Sequence, residues 1–244
     1  MSLEGTFAHP KACAETDAIY RSLGLSQDAL ACLEEQKPGS EAVSTGTTIM
    51  AVSYDGGVVM GADTRTSAGA FIVNRASRKI SRVHDRIFVC RSGSAADTQA
   101  LTNYVRHFTT QHAMELGEAP RVATVANLYK LLCYNNKNNL MAGLIVAGWD
   151  AVKGGQVYQI PLGGTLLPGK YAAGGSGSTY IWGLLDSDFR EGMSKDECKA
   201  FVTKMVSHAL TRDGSSGGMV RLITISEDDV VEEVVTGDKL PYGP

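Results

Sequence analysis

The chain has 244 residues, 43% of them hydrophobic and 20% charged, with a formal net charge of −3, the composition of an ordinary globular protein. A slight acidic excess argues against broad nucleic-acid or membrane-surface binding. No apolar stretch approaches the ~20 residues that a membrane span needs.

Residues 1–46 read as a leader. They hold little that could build a core, and they carry 3 Lys/Arg against 7 Asp/Glu, which leaves 20 against 19 for the rest. A linker, Lys37-Pro38-Gly39-Ser40, precedes the first apolar run. Thr48 to Tyr54 and Val58 to Ala62 are apolar segments broken by Asp55-Gly56-Gly57, which predicts a β-hairpin. Arg86 to Cys90 reads as a further strand. Ser94 with Asp97 then opens a helix, whose stripe is Leu101, Tyr104, Val105 and Phe108 and whose end is Gly117. A second helix begins near Pro120, with Val122, Val125, Ala126, Tyr129, Leu132 and Cys133 on one face. Strands are expected over 141–149 and 156–162, with a turn at Gly163-Gly164. A helix follows over 178–190, and another opens at Ser194 with Glu197 in capping-box register. The chain closes with strands over 218–226 and 229–235. Segregated runs of strands and helices predict a single α+β layered domain after the leader.

Within this order, the Gly46-Thr47 junction invites a cut. Cleavage there would give Thr47 a free amine beside its own hydroxyl, a known design for covalent catalysis; the alternative is an ordinary β-branched residue at a strand edge. Asp63, at the end of the strand paired with that of Thr47, and Lys79 are its candidate partners, or else a surface ion pair of little consequence. Gly93 lies between a strand and a helix N-terminus, where outward-pointing backbone N–H groups suit an oxyanion hole or a plain capping loop. Gly174 to Ser178 lacks both GxGxxG and a Walker lysine, which argues against nucleotide binding. Gly214 to Gly218 matches GxSxG, but with a helix before and a strand after, the reverse of a hydrolase elbow. No metal site stands out: His107 and His112 are five apart on one helix and face different ways. Cys13, Cys32, Cys90, Cys133 and Cys198 are odd in number, widely spaced and without CxxC. With no signal-peptide pattern, they read as reduced thiols of the cytoplasm or nucleus.

Several segments resemble a β-type proteasome subunit. They are Thr-Thr-Ile-Met-Ala-Val at 47–52, Asp-Gly-Gly-Val-Val at 55–59, Gly-Ala-Asp-Thr-Arg-Thr at 61–66, Arg-Lys-Ile at 78–80, Arg-Ser-Gly-Ser-Ala-Ala-Asp-Thr-Gln at 91–99, Ala-Gly-Trp-Asp at 147–150, Gly-Gly-Ser-Gly-Ser at 174–178 and Arg-Asp-Gly-Ser-Ser-Gly-Gly at 212–218. The resemblance spans 47–240. It implies an N-terminal-nucleophile hydrolase with two stacked antiparallel sheets between helical layers, a four-layer αββα sandwich. It also implies a propeptide over 1–46, removed by self-cleavage between Gly46 and Thr47, and a catalytic domain over 47–244. Thr47 would be the nucleophile and Asp63 and Lys79 its charged partners. Gly93 would serve as oxyanion donor, with Ser176, Asp213 and Ser216 around the amine. The substrate pocket would be lined by Thr66, Ser77, Arg91, Ala95 and Gln99, with Ser77 standing where a threonine is expected. A guanidinium at Arg91 favours an acidic residue before the scissile bond, which is most similar to the first, caspase-like catalytic subunit. The resemblance implies neither cofactor nor metal. As partners it implies other α- and β-type subunits in stacked seven-membered rings, and as substrates unfolded polypeptides. A non-catalytic ring subunit, a bacterial-type homo-oligomeric protease and a free-standing serine hydrolase are the competing readings.

Overall fold

A computed structural model describes residues 46–68 and 71–242. The expected leader lies outside them except for Gly46, as do Cys13 and Cys32. Strand β1 (Ile49–Tyr54) turns at Gly56, whose φ of 109° suits glycine, into β2 (Gly57–Asp63). Next come a small ribbon of β3 (Thr66–Ala68) and β4 (Phe71–Asn74), then the pair β5 (Ile80–His84) and β6 (Ile87–Gly93). Helices α1 (Ala95–Leu116) and α2 (Val122–Asn135) follow. Strands β7 (Ala142–Asp150), β8 (Gly154–Ile160), β9 (Leu167–Gly169) and β10 (Tyr171–Gly174) lead to helices α3 (Trp182–Asp188) and α4 (Lys195–Arg212). Strands β11 (Val220–Ser226) and β12 (Val230–Val235) complete the order.

The strands form two five-stranded antiparallel sheets, ordered β10-β1-β2-β11-β12 and β5-β6-β7-β8-β9. Side chains alternate across a strand, and β1 shows what each face meets. Ile49 and Ala51 pack with Phe88, Cys90, Ile145 and Ala147 of the other sheet. Met50 and Val52 pack instead with Val202, Met205 and Val206 of α4. Both faces of β1 are covered, so the strand reads as an unbroken apolar run. Burying each large side chain contributes about 1.5–3 kcal/mol. Helices α1 and α2 cover the outer face of the second sheet with Leu101, Val105, Phe108, Val125 and Tyr129. The result is the expected αββα sandwich.

Local sequence accounts for several element ends. Ser194 and Glu197 form the full capping box of α4. At α1 only half of it forms: the Asp97 N–H donates to Ser94 Oγ, but the Asp97 carboxylate accepts from Met141 N at 3.1 Å. That bond ties the start of α1 to the start of β7. The helix expected over 178–190 is in fact two pieces, a 3₁₀ turn over Ser176–Tyr180 and then α3. Ser178 Oγ donates to Gly175 O and Thr179 Oγ1 to Ser176 O, local bonds that draw the backbone into the tighter turn. Phe71, Ile72 and Val73 lie exposed on β4, outside the core.

Candidate active site

The register of the β1–β2 hairpin, Ile49 opposite Ala62, sets Asp63 beside Thr48. The Asp63 N–H donates to Thr48 O at 3.0 Å, and Thr48 N–H returns a bond to Asp63 Oδ1 at 2.9 Å. Lys79 precedes β5 and is fixed when Arg91 N–H donates to its carbonyl at 2.9 Å. Its side chain then reaches three acceptors: Asp63 Oδ1 at 2.7 Å, Gly46 O at 3.0 Å and Thr47 Oγ1 at 3.2 Å.

The pair is buried, with Asp63 0% and Lys79 7% exposed, so the surface ion-pair reading fails. Asp63 Oδ2 accepts from Arg65 N and Gly217 N, which gives each carboxylate oxygen two donors. Breaking a buried pair of this kind costs about 3–5 kcal/mol, against ~0–1 for a surface pair. Burial pushes the Asp63 carboxyl up from its ordinary value, opposed by the Lys79 charge and the backbone donors. Burial likewise pushes the Lys79 amine down, opposed by Asp63. A lysine so placed releases its proton more readily than a free one.

A second carboxylate lies on the other side of Thr47. Asp213 caps the C-terminal end of α4, and its Oδ2 accepts from Ser176 Oγ at 2.7 Å and Ser216 Oγ at 2.6 Å. Thr47 N–H donates to Ser176 Oγ at 3.1 Å, and Thr47 O accepts from Gly177 N at 3.1 Å. Ser216 follows a helix and precedes β11, and it serves Asp213. This is the reversed context expected of a chance GxSxG match. Thr48 carries no role in the sequence reading, yet its Oγ1 lies 2.8 Å from Ser216 Oγ.

Beside Thr47 opens a cavity of about 50 Å³ lined by Gly46, Thr66, Ser77, Arg78, Arg91 and Gly93, among others. Among the expected pocket residues Ala95 also lines it, whereas Gln99 is exposed on α1 outside the lining; buried Thr98 takes its place. Gly93, at φ 98°, could not carry a side chain, because a Cβ would lie 2.3 Å from Met141 O. Arg91 donates through Nη2 to Arg78 O at 2.9 Å, and its buried Nε has no protein acceptor. Burial draws the Arg91 pKa down, yet a guanidinium stays protonated at neutral pH. Among the described residues, no acidic side chain lines the cavity. No cluster of metal-ligating side chains occurs among the described residues.

Two stacked antiparallel sheets between helical layers, with a threonine, a lysine and two carboxylates gathered at one sheet end, have the architecture of an N-terminal-nucleophile hydrolase. A family model described as "Proteasome subunit" matches residues 43–225, and the chain belongs to that family, on its β-type side. It is 56% identical over 200 residues to proteasome subunit beta type-6 of Dictyostelium discoideum, covering 82% of this chain and 94% of that protein. To the beta type-6 subunit of Arabidopsis thaliana it is 51% identical over 197 residues, 81% of this chain and 84% of the relative. The beta type-9 subunit of Salmo salar is 48% identical over 210 residues, 85% and 96% of the two chains. Assembly with other α- and β-type subunits into the proteasome core particle follows from that membership. No helix among the described residues is long and apolar enough to cross a membrane.

Proposed function

We propose that this subunit is a threonine endopeptidase which frees its own nucleophile by cutting between Gly46 and Thr47 and then cleaves polypeptides after acidic residues. The observation that carries this reading is the Lys79 ammonium, in contact at once with the Asp63 carboxylate, the Thr47 hydroxyl and the Gly46 carbonyl.

In the first reaction Thr47 Oγ1 attacks the Gly46 carbonyl carbon and gives its proton to the basic form of Lys79. The C–N bond breaks, the nitrogen takes a proton, and an ester links Gly46 to Thr47 Oγ1. Water hydrolyses that ester, so residues 1–46 depart with a carboxylate and Thr47 keeps a free amine. The same hydroxyl then attacks a substrate carbonyl, its proton passing to Lys79 or to the new amine. An N–H at Gly93 meets the developing oxyanion. The peptide C–N bond breaks as its nitrogen takes up that proton, the amine product leaves, and water hydrolyses the ester on Thr47 Oγ1 to release the acid product.

Arg91 sets the preference. Its guanidinium lines the cavity beside Thr47, and a carboxylate on the residue before the scissile bond pairs with that charge. Unpaired buried thiols at Cys90, Cys133 and Cys198 suit a reducing compartment, the cytoplasm and nucleus. N-terminal sequencing of the subunit from assembled particles, beside a Thr47→Ala preparation, tests the core of the reading. The native chain is expected to begin Thr-Thr-Ile-Met and the variant to keep its leader at Gly46. A native chain still uncut at Gly46, or a variant cut there equally well, would refute the self-activated nucleophile.

A further inference from the structure

Cleavage after Gly46 creates a mechanical problem. Thr47 becomes the first residue of β1's chain, and chain termini fray unless they are tied down. Its hydroxyl must nonetheless stay within reach of Lys79. The residue best placed to hold it is the next one. Thr48 is wholly buried and bonded at three points. Its N–H donates to Asp63 Oδ1 at 2.9 Å, its carbonyl accepts from Asp63 N at 3.0 Å, and its Oγ1 meets Ser216 Oγ at 2.8 Å.

The direction of the last bond follows from proton counting. Ser216 has one hydroxyl proton, and its 2.6 Å contact with Asp213 Oδ2 uses it. Thr48 must therefore donate and Ser216 accept. Ser176 spends its proton on the same oxygen at 2.7 Å, so it can only accept from Thr47 N. Two chains of hydroxyls thus converge on Asp213, one from the Thr47 nitrogen through Ser176, the other from Thr48 through Ser216. The Thr48 backbone meanwhile grips Asp63, whose Oδ1 also holds Lys79. The surroundings are shaped for this contact: a Cβ on Gly177 would lie 1.9 Å from Thr48 Oγ1.

We propose that Thr48 is a positioning residue which ties the two carboxylates of the site to each other, through its N–H on Asp63 and its hydroxyl on Asp213 by way of Ser216, and so holds the Thr47 terminus in register once Gly46 has gone. The inference rests on the threonine-protease reading above. Before cleavage the bond to Gly46 shares the task, so the Thr48 hydroxyl matters more for turnover than for processing.

The test uses assembled particles carrying Thr48→Val, which keeps the shape and removes the hydroxyl, and Thr48→Ser, which keeps the hydroxyl. Each is read for the fraction of chain beginning at Thr47 and for kcat and KM on an acidic fluorogenic peptide. The expected result is near-normal processing in both variants, a kcat about tenfold lower for Thr48→Val at unchanged KM, and recovery to within twofold of wild type for Thr48→Ser. Thr48→Val turnover within twofold of wild type would overturn the proposal. So would equal losses in the two variants, or a Thr48→Val loss that appears only as uncut chain. A wild-type chain that is never cut at Gly46 would instead refute the underlying protease reading.

Discussion

The most exacting prediction concerns Gly46, because under the proposed mechanism the residue leaves before turnover begins. A Cβ built there would stand 2.0 Å from Ser215 Cβ and 2.2 Å from the Ser215 backbone C and O. Ordinary van der Waals contact begins near 3.4 Å, so the overlap is about 1.4 Å. Neither side can yield without consequence. Moving Gly46 pulls its carbonyl from Lys79 Nζ, now at 3.0 Å, and turns the scissile carbon away from Thr47 Oγ1. Moving Ser215 disturbs its N–H bond to Asp213 Oδ1 and the adjacent Ser216. A misplacement of roughly 1 Å in a reacting pair slows the step about a hundredfold, equivalent to about 2.7 kcal/mol. Gly46→Ala should therefore slow removal of the leader about a hundredfold. Hydrolysis of an acidic peptide, counted per processed chain, should be unchanged, since processed chains are identical. Intact mass of the subunit at intervals during particle assembly measures the first quantity, and a fluorogenic assay measures the second. Gly46→Ala processing at the wild-type pace would refute the steric argument.

Two further expectations follow from the charges. Among the described residues lining the cavity, Arg91 is the cation without a salt-bridged carboxylate, and Arg91→Met removes with it a charge-assisted bond of about 1.5–3 kcal/mol. kcat/KM on peptides with Glu before the scissile bond should fall roughly ten- to a hundredfold while leader removal at Gly46 continues; retained acidic preference would exclude Arg91 as its source. For Lys79 the sign is set by burial, which lowers its pKa and so brings the neutral amine into play as pH rises through that value. Leader removal measured against pH should climb and then level off below about 10.4, the value of a free lysine. Lys79→Arg, charged throughout, should leave the leader in place at every pH. A pH-independent rate, or processing of Lys79→Arg, would show that another group takes the proton.

Much of this was legible in the sequence because it is local. The hairpin at Gly56, the stripes of α1 and α2, the Ser194–Glu197 box and the Gly117 end all depend on residues a few positions apart. The failure has a local cause too: around Ser178, side-chain bonds to the backbone outweighed helical periodicity. The pairing of Asp63 with Lys79 was open to two readings because only burial separates a surface ion pair from one fit for chemistry, and burial is a property of the assembled sheets.

Thr48 was illegible for a different reason. As a sequence feature it is one β-branched residue in an apolar strand, and nothing nearby hints at a partner 168 positions away. Its importance comes from the crossing of two long-range facts. The β1–β2 register puts its backbone on Asp63, and the end of α4 puts Asp213 and Ser216 beneath its hydroxyl. Resemblance finds the residues that react, since their types are dictated by chemistry. A clamp can be built from any group with the right reach, so geometry alone reveals it. The same reasoning makes the Thr48→Ser variant the decisive one: if reach and hydroxyl are what count, the missing methyl should hardly be felt.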